Sequence, residues 1–209
     1  MTAVNSQIRI AVDGFDGLGK TTLTRSLLRQ LSIEGVTVQA IGRRAADCSE
    51  TSDTLTNLVK AFDARELIVS HQVNAYVRMA RLYDRIQVAE NSSAEVIVFD
   101  RWIVSDLSRL ANMHQCLPDF LTIHERANIQ VLVRMSGDFS IAWDRISMRD
   151  PAELSPLEKL GQAHLRPYFQ SMDEAWSILP HRVTEICSAG DLDTNTSVVI
   201  AAINESRRS

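Results

Sequence analysis

Residues 14–21 read Gly14-Phe15-Asp16-Gly17-Leu18-Gly19-Lys20-Thr21 and satisfy the pattern G-x-x-x-x-G-K-[ST] at every fixed position. The pattern constrains the fold because it works at only one kind of junction. Its glycines let the backbone bend until successive N–H groups point inward at phosphate oxygens, and the helix that follows aims its positive end at the same place. A strand must therefore precede the loop and a helix must follow it. Both flanks comply. Ile8-Arg9-Ile10-Ala11-Val12 is an apolar run suited to a buried strand, and Leu23, Leu27, Leu28 and Leu31 recur at helical spacing from Thr22 onward. Gly14, Gly17, Leu18, Gly19, Lys20, Thr21 and Thr22 are thus the candidate nucleotide-binding residues. Lys20 supplies a point charge for the β- and γ-phosphates and the Thr21 hydroxyl can hold Mg²⁺, so ATP and Mg²⁺ are the expected cofactors.

Strand-like and helix-like patterns alternate along the whole chain, with no fixed-period repeat and no Pro/Gly-rich linker. Alternation of this kind predicts an α/β fold, a parallel sheet covered on both faces. Strands are expected at residues 8–12, 36–41, 96–99, 129–135 and 182–188. Gly35 is the expected stop of the first helix. Leu55, Leu58, Val59 and Phe62 mark one helical face, and Val73, Tyr76, Val77, Ala80 and Tyr83 mark another. Further helices are predicted over 105–114, 119–127, 140–148 and 197–204. A long one runs from Leu157 to Leu179, with His164 on its apolar stripe and a kink at Pro167. The 209 residues form one expected domain, long enough for a sizeable core.

Composition then removes whole classes of function. A net charge of −4 and a pI near 5.7 argue against a nucleic-acid binder, which normally carries a basic face. Cys48, Cys116 and Cys187 are scattered and odd in number, which suggests neither a disulfide framework nor a zinc ribbon. No stretch approaches membrane-spanning length and residues 1–7 lack an apolar signal core, so a cytoplasmic protein with no membrane partner is expected. No D-x-x-G with N-K-x-D pair marks a GTPase switch, and no L-S-G-G-Q marks a transport ATPase.

A second motif lies about eighty residues beyond the first. Val96-Ile97-Val98-Phe99 runs into Asp100, an acid at a strand end where phosphate-loop enzymes place a carboxylate near the Mg²⁺ shell. Side chains alternate along a strand, so Arg101 is expected on the opposite face, toward an acceptor, where its planar fork suits a phosphate.

These residues resemble the thymidylate kinases, within the wider P-loop nucleoside-monophosphate kinases. That family's loop reads E-G-x-D-G-x-G-K-[ST]-[ST], against Asp13-Gly14-Phe15-Asp16-Gly17-Leu18-Gly19-Lys20-Thr21-Thr22 here. Its second signature, D-R-Y-x-x-S, is matched by Asp100-Arg101-Trp102-Ile103-Val104-Ser105 with Trp for Tyr, and Leu82-Tyr83-Asp84-Arg85 fits a segment usual before that strand. The resemblance implies a P-loop kinase fold with a five-stranded parallel sheet in the order 2-3-1-4-5, and transfer of the γ-phosphoryl group of ATP to a nucleoside monophosphate, dTMP to dTDP first. It further implies that Asp16 contacts the acceptor sugar, Arg101 clamps the acceptor phosphate, and Arg85 reaches the acceptor's base or phosphate. Asp100 resembles the Mg²⁺-side acid, Ser105 and Arg109 fall on the acceptor side, and Phe62 is a candidate floor for the base. Pairing of two copies through helices is a further implication.

A lid is expected near residues 145–160. Arg145 and Arg149 lie four apart, on one helical face leading into Asp150-Pro151. Similar arginines in the family stabilise the transferring phosphoryl group. Gly17 stands where some members carry a loop arginine for that task, which makes a lid arginine more necessary. Departures gather on the acceptor side. Gly42-Arg43-Arg44-Ala45 replaces the family's Arg-Glu-Pro-Gly, leaving Arg43 a substrate-binding candidate without its turn, and Arg109-Leu110 replaces a Tyr-Gln pair. The acceptor therefore stays open between dTMP, a modified pyrimidine nucleotide, a nucleoside and another hydroxylated metabolite. A nucleotide-binding protein without turnover ranks lower.

Overall fold

The computed structural model describes residues 7–42, 50–64, 67–180 and 183–208. Within them the elements run β1 Ile8–Gly14, α1 Lys20–Ile33, β2 Val38–Ile41, α2 Glu50–Asp63, α3 His71–Glu90, β3 Val96–Asp100 and α4 Ile103–Leu107. They continue with α5 Met113–Ala127, β4 Val131–Ser136, α6 Phe139–Ser147, α7 Pro156–Lys159, α8 Gln162–Ser177, β5 Val183–Cys187 and α9 Leu192–Ser206. All five strands are parallel, in the order β2-β3-β1-β4-β5.

Helices cover both faces of a parallel sheet, so its central strands read as continuous apolar runs. Ile10, Ala11 and Val12 of β1, Val96 to Phe99 of β3 and Val133 of β4 are fully buried accordingly. Leu23, Leu27 and Leu31 turn the inner face of α1 onto this core, and Val199 and Ile203 of α9 bury there too. Register then positions the site. Val12 lies opposite both Asp100 and Val133, so β1 and β3 end side by side. The phosphate loop and the Asp100-Arg101 corner consequently leave the sheet at the same edge, where α/β sheets bind their ligands.

The structure departs from the sequence-based expectations in three helical regions. The helix predicted over 157–179 is two, α7 and α8, parted at Gly161 with φ +84°, a conformation that costs a glycine little. His164 is exposed on α8, and Leu165 takes the buried position. The pattern read as 105–114 is the short α4 followed by α5, which begins at Met113 and runs through Pro118.

The third departure matters most. The face of α3 predicted to be buried points outward, with Val73 44 % and Tyr76 62 % exposed. Arg78, Arg81 and Arg85 are buried instead, beside Ala75, Met79, Leu82, Ile86 and Ala89. Hydropathy ranks arginine as an outside residue. A buried charge is tolerated when partners satisfy it, and here partners wait in α2, α4 and the strand ends. Among the described residues, no helix is long and apolar enough to cross a membrane.

Candidate active site

The loop between β1 and α1 is shaped by close approach. Gly17 has φ +84°, and a Cβ placed on it would lie 2.4 Å from the Ala142 carbonyl oxygen of α6. Only glycine fits, and α6 can press directly against the loop. Gly19 caps α1 in a left-handed conformation, and Lys20 opens the helix. The Lys20 Nζ donates to the Phe15 carbonyl at 2.7 Å and lies 3.6 Å from Asp16 Oδ1. In front of the loop is a cavity of about 1130 Å³. Gly17, Leu18, Gly19, Lys20, Thr21 and Thr22 all line it. Gly14 does not, being packed behind the loop against Met135 of β4.

Asp13 straps the two motifs together. This fully buried carboxylate accepts from the Gly14 amide at 2.9 Å, the Trp102 amide at 2.9 Å, the Ser105 amide at 3.0 Å and the Ser105 hydroxyl. Ser105 is thereby placed behind the crevice, fully buried, rather than on its acceptor wall. Sequence reading assigned Asp13 no task; an acid immediately before the loop is the signal that was available.

Around Asp16 the charges converge. Arg101 Nη2 donates to Asp16 Oδ1, while Arg109 Nη2 stands 3.8 Å from Oδ2 and Lys20 approaches from the loop. Burial alone would raise the Asp16 carboxyl, but Arg101, Lys20 and Arg109 outweigh it and hold Asp16 well below the usual carboxylate range. Burial and then Arg101 push the Lys20 ammonium down to about 8, against the opposing pull of Asp16, Asp100 and Asp13. Arg101 adopts φ +70°, rare outside glycine and typical of residues that a site holds in place. Its amide donates to the Val12 carbonyl at 2.8 Å, which fixes that corner to β1.

Behind Asp16 runs a chain of ion pairs that the sequence did not announce. Arg109 Nη1 donates to Asp63 Oδ2 at 3.0 Å, and Asp63 Oδ1 accepts from Arg78. Arg78 also donates to Asp106 at 3.1 Å, where Arg81 joins it. Phe62 is half-buried, one residue before Asp63 on α2. Arg85 lies away from the crevice. Its guanidinium donates to the carbonyls of Ile41 at 2.6 Å, Arg101 at 2.8 Å and Asp100 at 3.2 Å, and packs over Phe99 and Trp102. Arg85 thus binds the ends of β2 and β3, which corrects its expected reach to the acceptor. Arg43 falls outside the described residues.

On the opposite side, Arg145 of α6 donates to the Gly17 carbonyl and the Ser188 carbonyl, each at 3.2 Å. Arg149 borders the same cavity and donates to Glu158 Oε1 at 2.8 Å. Glu158 is buried, and its other oxygen accepts from the Ser155 amide at 2.6 Å in a capping box for α7.

No model of a known protein family matches the chain. Its fold is that of a thymidylate kinase from Candida albicans, with a TM-score of 0.67 at 15 % identity over 97 % of this chain and 94 % of that one. A deoxyadenosine kinase from M. mycoides shares it, with a TM-score of 0.60 at 16 % identity over 95 % of this chain and all of the other. In sequence, the chain is 25 % identical over 175 residues to a probable thymidylate kinase from Thermoplasma acidophilum, across 81 % of its own length and 79 % of that relative's. The chain thus has the fold of nucleotide kinases and is similar in sequence to a probable thymidylate kinase.

The site has room for a metal beside the phosphate loop. Asp100 closes β3 next to β1, and its buried Oδ1 has no hydrogen-bond partner among the described residues. The exposed Thr21 hydroxyl faces the cavity. Among the described residues no cluster of three or more His, Cys, Asp or Glu side chains forms a protein-built cage. One carboxylate and one hydroxyl suit Mg²⁺, which keeps waters and substrate phosphates as its remaining ligands. The residues present therefore fit the Mg²⁺ ion expected from the sequence motifs.

Proposed function

We propose that this chain catalyses transfer of the γ-phosphoryl group of ATP to a nucleoside monophosphate in a Mg²⁺-dependent reaction, with dTMP as acceptor and dTDP as product. One observation carries the reading. Lys20, from the phosphate loop, and Arg101, from the end of β3, reach the same carboxylate, Asp16. Cationic groups for two anions thus stand on either side of one residue, and the sequence relative is named for thymidylate phosphorylation.

The roles follow from position. The amides of Gly17 to Thr22 and the Lys20 ammonium hold the donor phosphates, which suits a helix N-terminus behind a glycine loop. Thr21 and Asp100 would hold Mg²⁺, which supplies positive charge against the phosphate oxygens when bound. Arg101 grips the acceptor phosphate, whose oxygen needs no base because it is already anionic. Asp16 keeps Lys20 and Arg101 from repelling each other and aims both. Residues 145–160 serve as the lid. Arg145 is already anchored to the loop, and Arg149 turns from Glu158 to the transferring group on closure. Catalysis in this scheme is positioning, electrostatics and exclusion of water.

The test is an ADP-release screen over nucleoside monophosphates, nucleosides and hydroxylated metabolites, with Lys20→Ala as the blank. ADP release that depends on dTMP is expected. Release with nucleosides alone would replace the acceptor, and nucleotide binding without release under any acceptor would remove the kinase reading.

A further inference from the structure

Arg145 and Arg149 border the same cavity, but they are satisfied in opposite ways. Arg145 donates to two neutral backbone oxygens, the carbonyls of Gly17 and Ser188. Arg149 donates to a charged one, Glu158 Oε1. The Glu158 side chain is 3 % exposed and that of Arg149 36 %, so the carboxylate is sunk in the arm while the guanidinium stands near its surface. An acid beside a site for phosphates calls for a physical reason. The loop wall of the cavity presents backbone amides and Lys20, whereas beyond Arg145 the arm contributes Arg149, Glu153 and Glu158 as its charges.

Both oxygens of Glu158 are engaged, Oε1 by Arg149 and Oε2 by the Ser155 amide in the capping box of α7. The cap does not need the charge, because a glutamine serves the same box. The charge matters to Arg149, which has two competing partners. Turning it from Glu158 to a donor phosphate exchanges one charge-assisted hydrogen bond for another and leaves a buried carboxylate short of a partner, which is unfavourable. The exchange therefore proceeds only when the incoming anion offers more than Oε1 does. A γ-phosphate qualifies, since it presents several terminal oxygens to a guanidinium fork. ADP lacks that group. A ligand shifts such an equilibrium only by its differential affinity for the two states, so a triphosphate frees Arg149 and a diphosphate does not.

We propose that Glu158 is a positioning residue, a latch that holds Arg149 off the phosphate loop until a γ-phosphate takes it over. The arm thereby tells ATP from ADP, and the product nucleotide leaves Arg149 with Glu158. This inference rests on the kinase reading for its place in the reaction, but the latch is measurable by binding alone.

Glu158→Gln keeps the capping box and removes the charge that holds Arg149. Calorimetry in Mg²⁺ with β,γ-methylene-ATP and with ADP is the test. The variant should bind the triphosphate analogue about 3–10-fold more tightly than wild type, because a latched protein is only fractionally competent. ADP affinity should rise by less than about twofold. The difference between the two nucleotides should vanish when Glu158→Gln is made in an Arg149→Ala background, where the latch has nothing to hold. Ser155→Ala, which breaks the cap and leaves the charge pair, should show no gain selective for the triphosphate. Unchanged affinities in Glu158→Gln overturn the proposal. Equal gains for both nucleotides, or a selective gain that persists without Arg149, do so as well, since Glu158 then only repels phosphate. A selective gain reproduced by Ser155→Ala would assign the effect to the cap and overturn it too. If the selective gain appears and requires Arg149 while no acceptor releases ADP, the kinase reading fails and the latch stands.

Discussion

In the proposed scheme the two ends of the crevice would hold their anions by different means. At the donor end the chemistry is mostly backbone. A glycine loop, a helix N-terminus and one buried lysine make the site, and α6 packs against Gly17 with no side chain between. At the acceptor end it is mostly side chain. Arg101, Arg109, Arg78 and Arg81 are held by Asp16, Asp63 and Asp106, contributed by the loop, α2 and α4. Backbone amides cannot be exchanged by mutation, so a donor site of this kind tolerates little variation in what it binds. A lattice of arginines and aspartates can be re-registered one residue at a time.

The largest effect should come from the buried donor-end lysine. Lys20→Ala is expected to lower kcat/KM by about 10²–10³-fold or more, the range seen when one preorganised charge is removed from a transition state, while the folded structure persists by circular dichroism. Retained turnover would break the comparison at its donor side. Arg101→Ala should raise the acceptor KM by about 10–10²-fold, the loss of a charged hydrogen bond, and leave the KM for ATP nearly unchanged. Equal rises in both constants would mean that the two ends are not separable.

The same contrast governs what could be read from the chain. The donor end is written in eight consecutive residues, because a loop that binds through its own backbone needs only local geometry. Asp100 was legible for the same reason, as the last residue of an apolar run. Of the charges at the acceptor end, only Asp16, Arg101 and Arg109 were legible, each in a motif or just behind one. Asp63, Arg78, Arg81 and Asp106 went unseen because their pairing depends on how α2, α3 and α4 pack, and no spacing rule records that. Arg78 and Arg81 even inverted the reading of α3, since the face that carries them, with Met79, Leu82 and Ile86, is the buried one, and Val73 and Tyr76 face solvent. Arg85 and Ser105 show the reverse error. Arg85 ends the segment that precedes β3 and Ser105 ends the motif that follows it, but both serve the framework, one on strand-end carbonyls and the other on Asp13.

Between the two ends stands the arm of residues 145–160, and its test carries a smaller expected effect. Arg145 is fixed to the loop carbonyl of Gly17, whereas Arg149 is tied to Glu158, away from the loop. If the arm closes over the transferring group, Arg149→Ala should lower kcat about 10-fold, the loss of one charge-assisted contact made mainly in the transition state. KM for the acceptor should change less than about twofold. Steady-state kinetics on both substrates decides this; a raised acceptor KM with unchanged kcat would move Arg149 out of the arm and into the acceptor end.

The smallest effect concerns stability, and it separates the ends by sign. Lys20 titrates near 8 when folded, against an ordinary value of 10.5, because burial and Arg101 disfavour its charge. Between those two values the unfolded chain binds more protons than the folded one, so stability rises with pH across that window. The penalty is complete below pH 8 and is relieved as pH climbs toward 10.5. Lys20→Met, which removes the charge and keeps the stem, should therefore melt above wild type at pH 7. A gain of about 1–2 kcal/mol corresponds to about 2–8 °C in a chain of this size. The difference should shrink when both proteins are melted near pH 10, since wild-type Lys20 is by then neutral. Phosphate-donor affinity of the wild type should fall over the same rise in pH, as the point charge is lost. A variant that melts below wild type at pH 7, or a gap indifferent to pH, would show that Lys20 is held by its partners as firmly as the arginines across the crevice, and that the two ends store their charge alike.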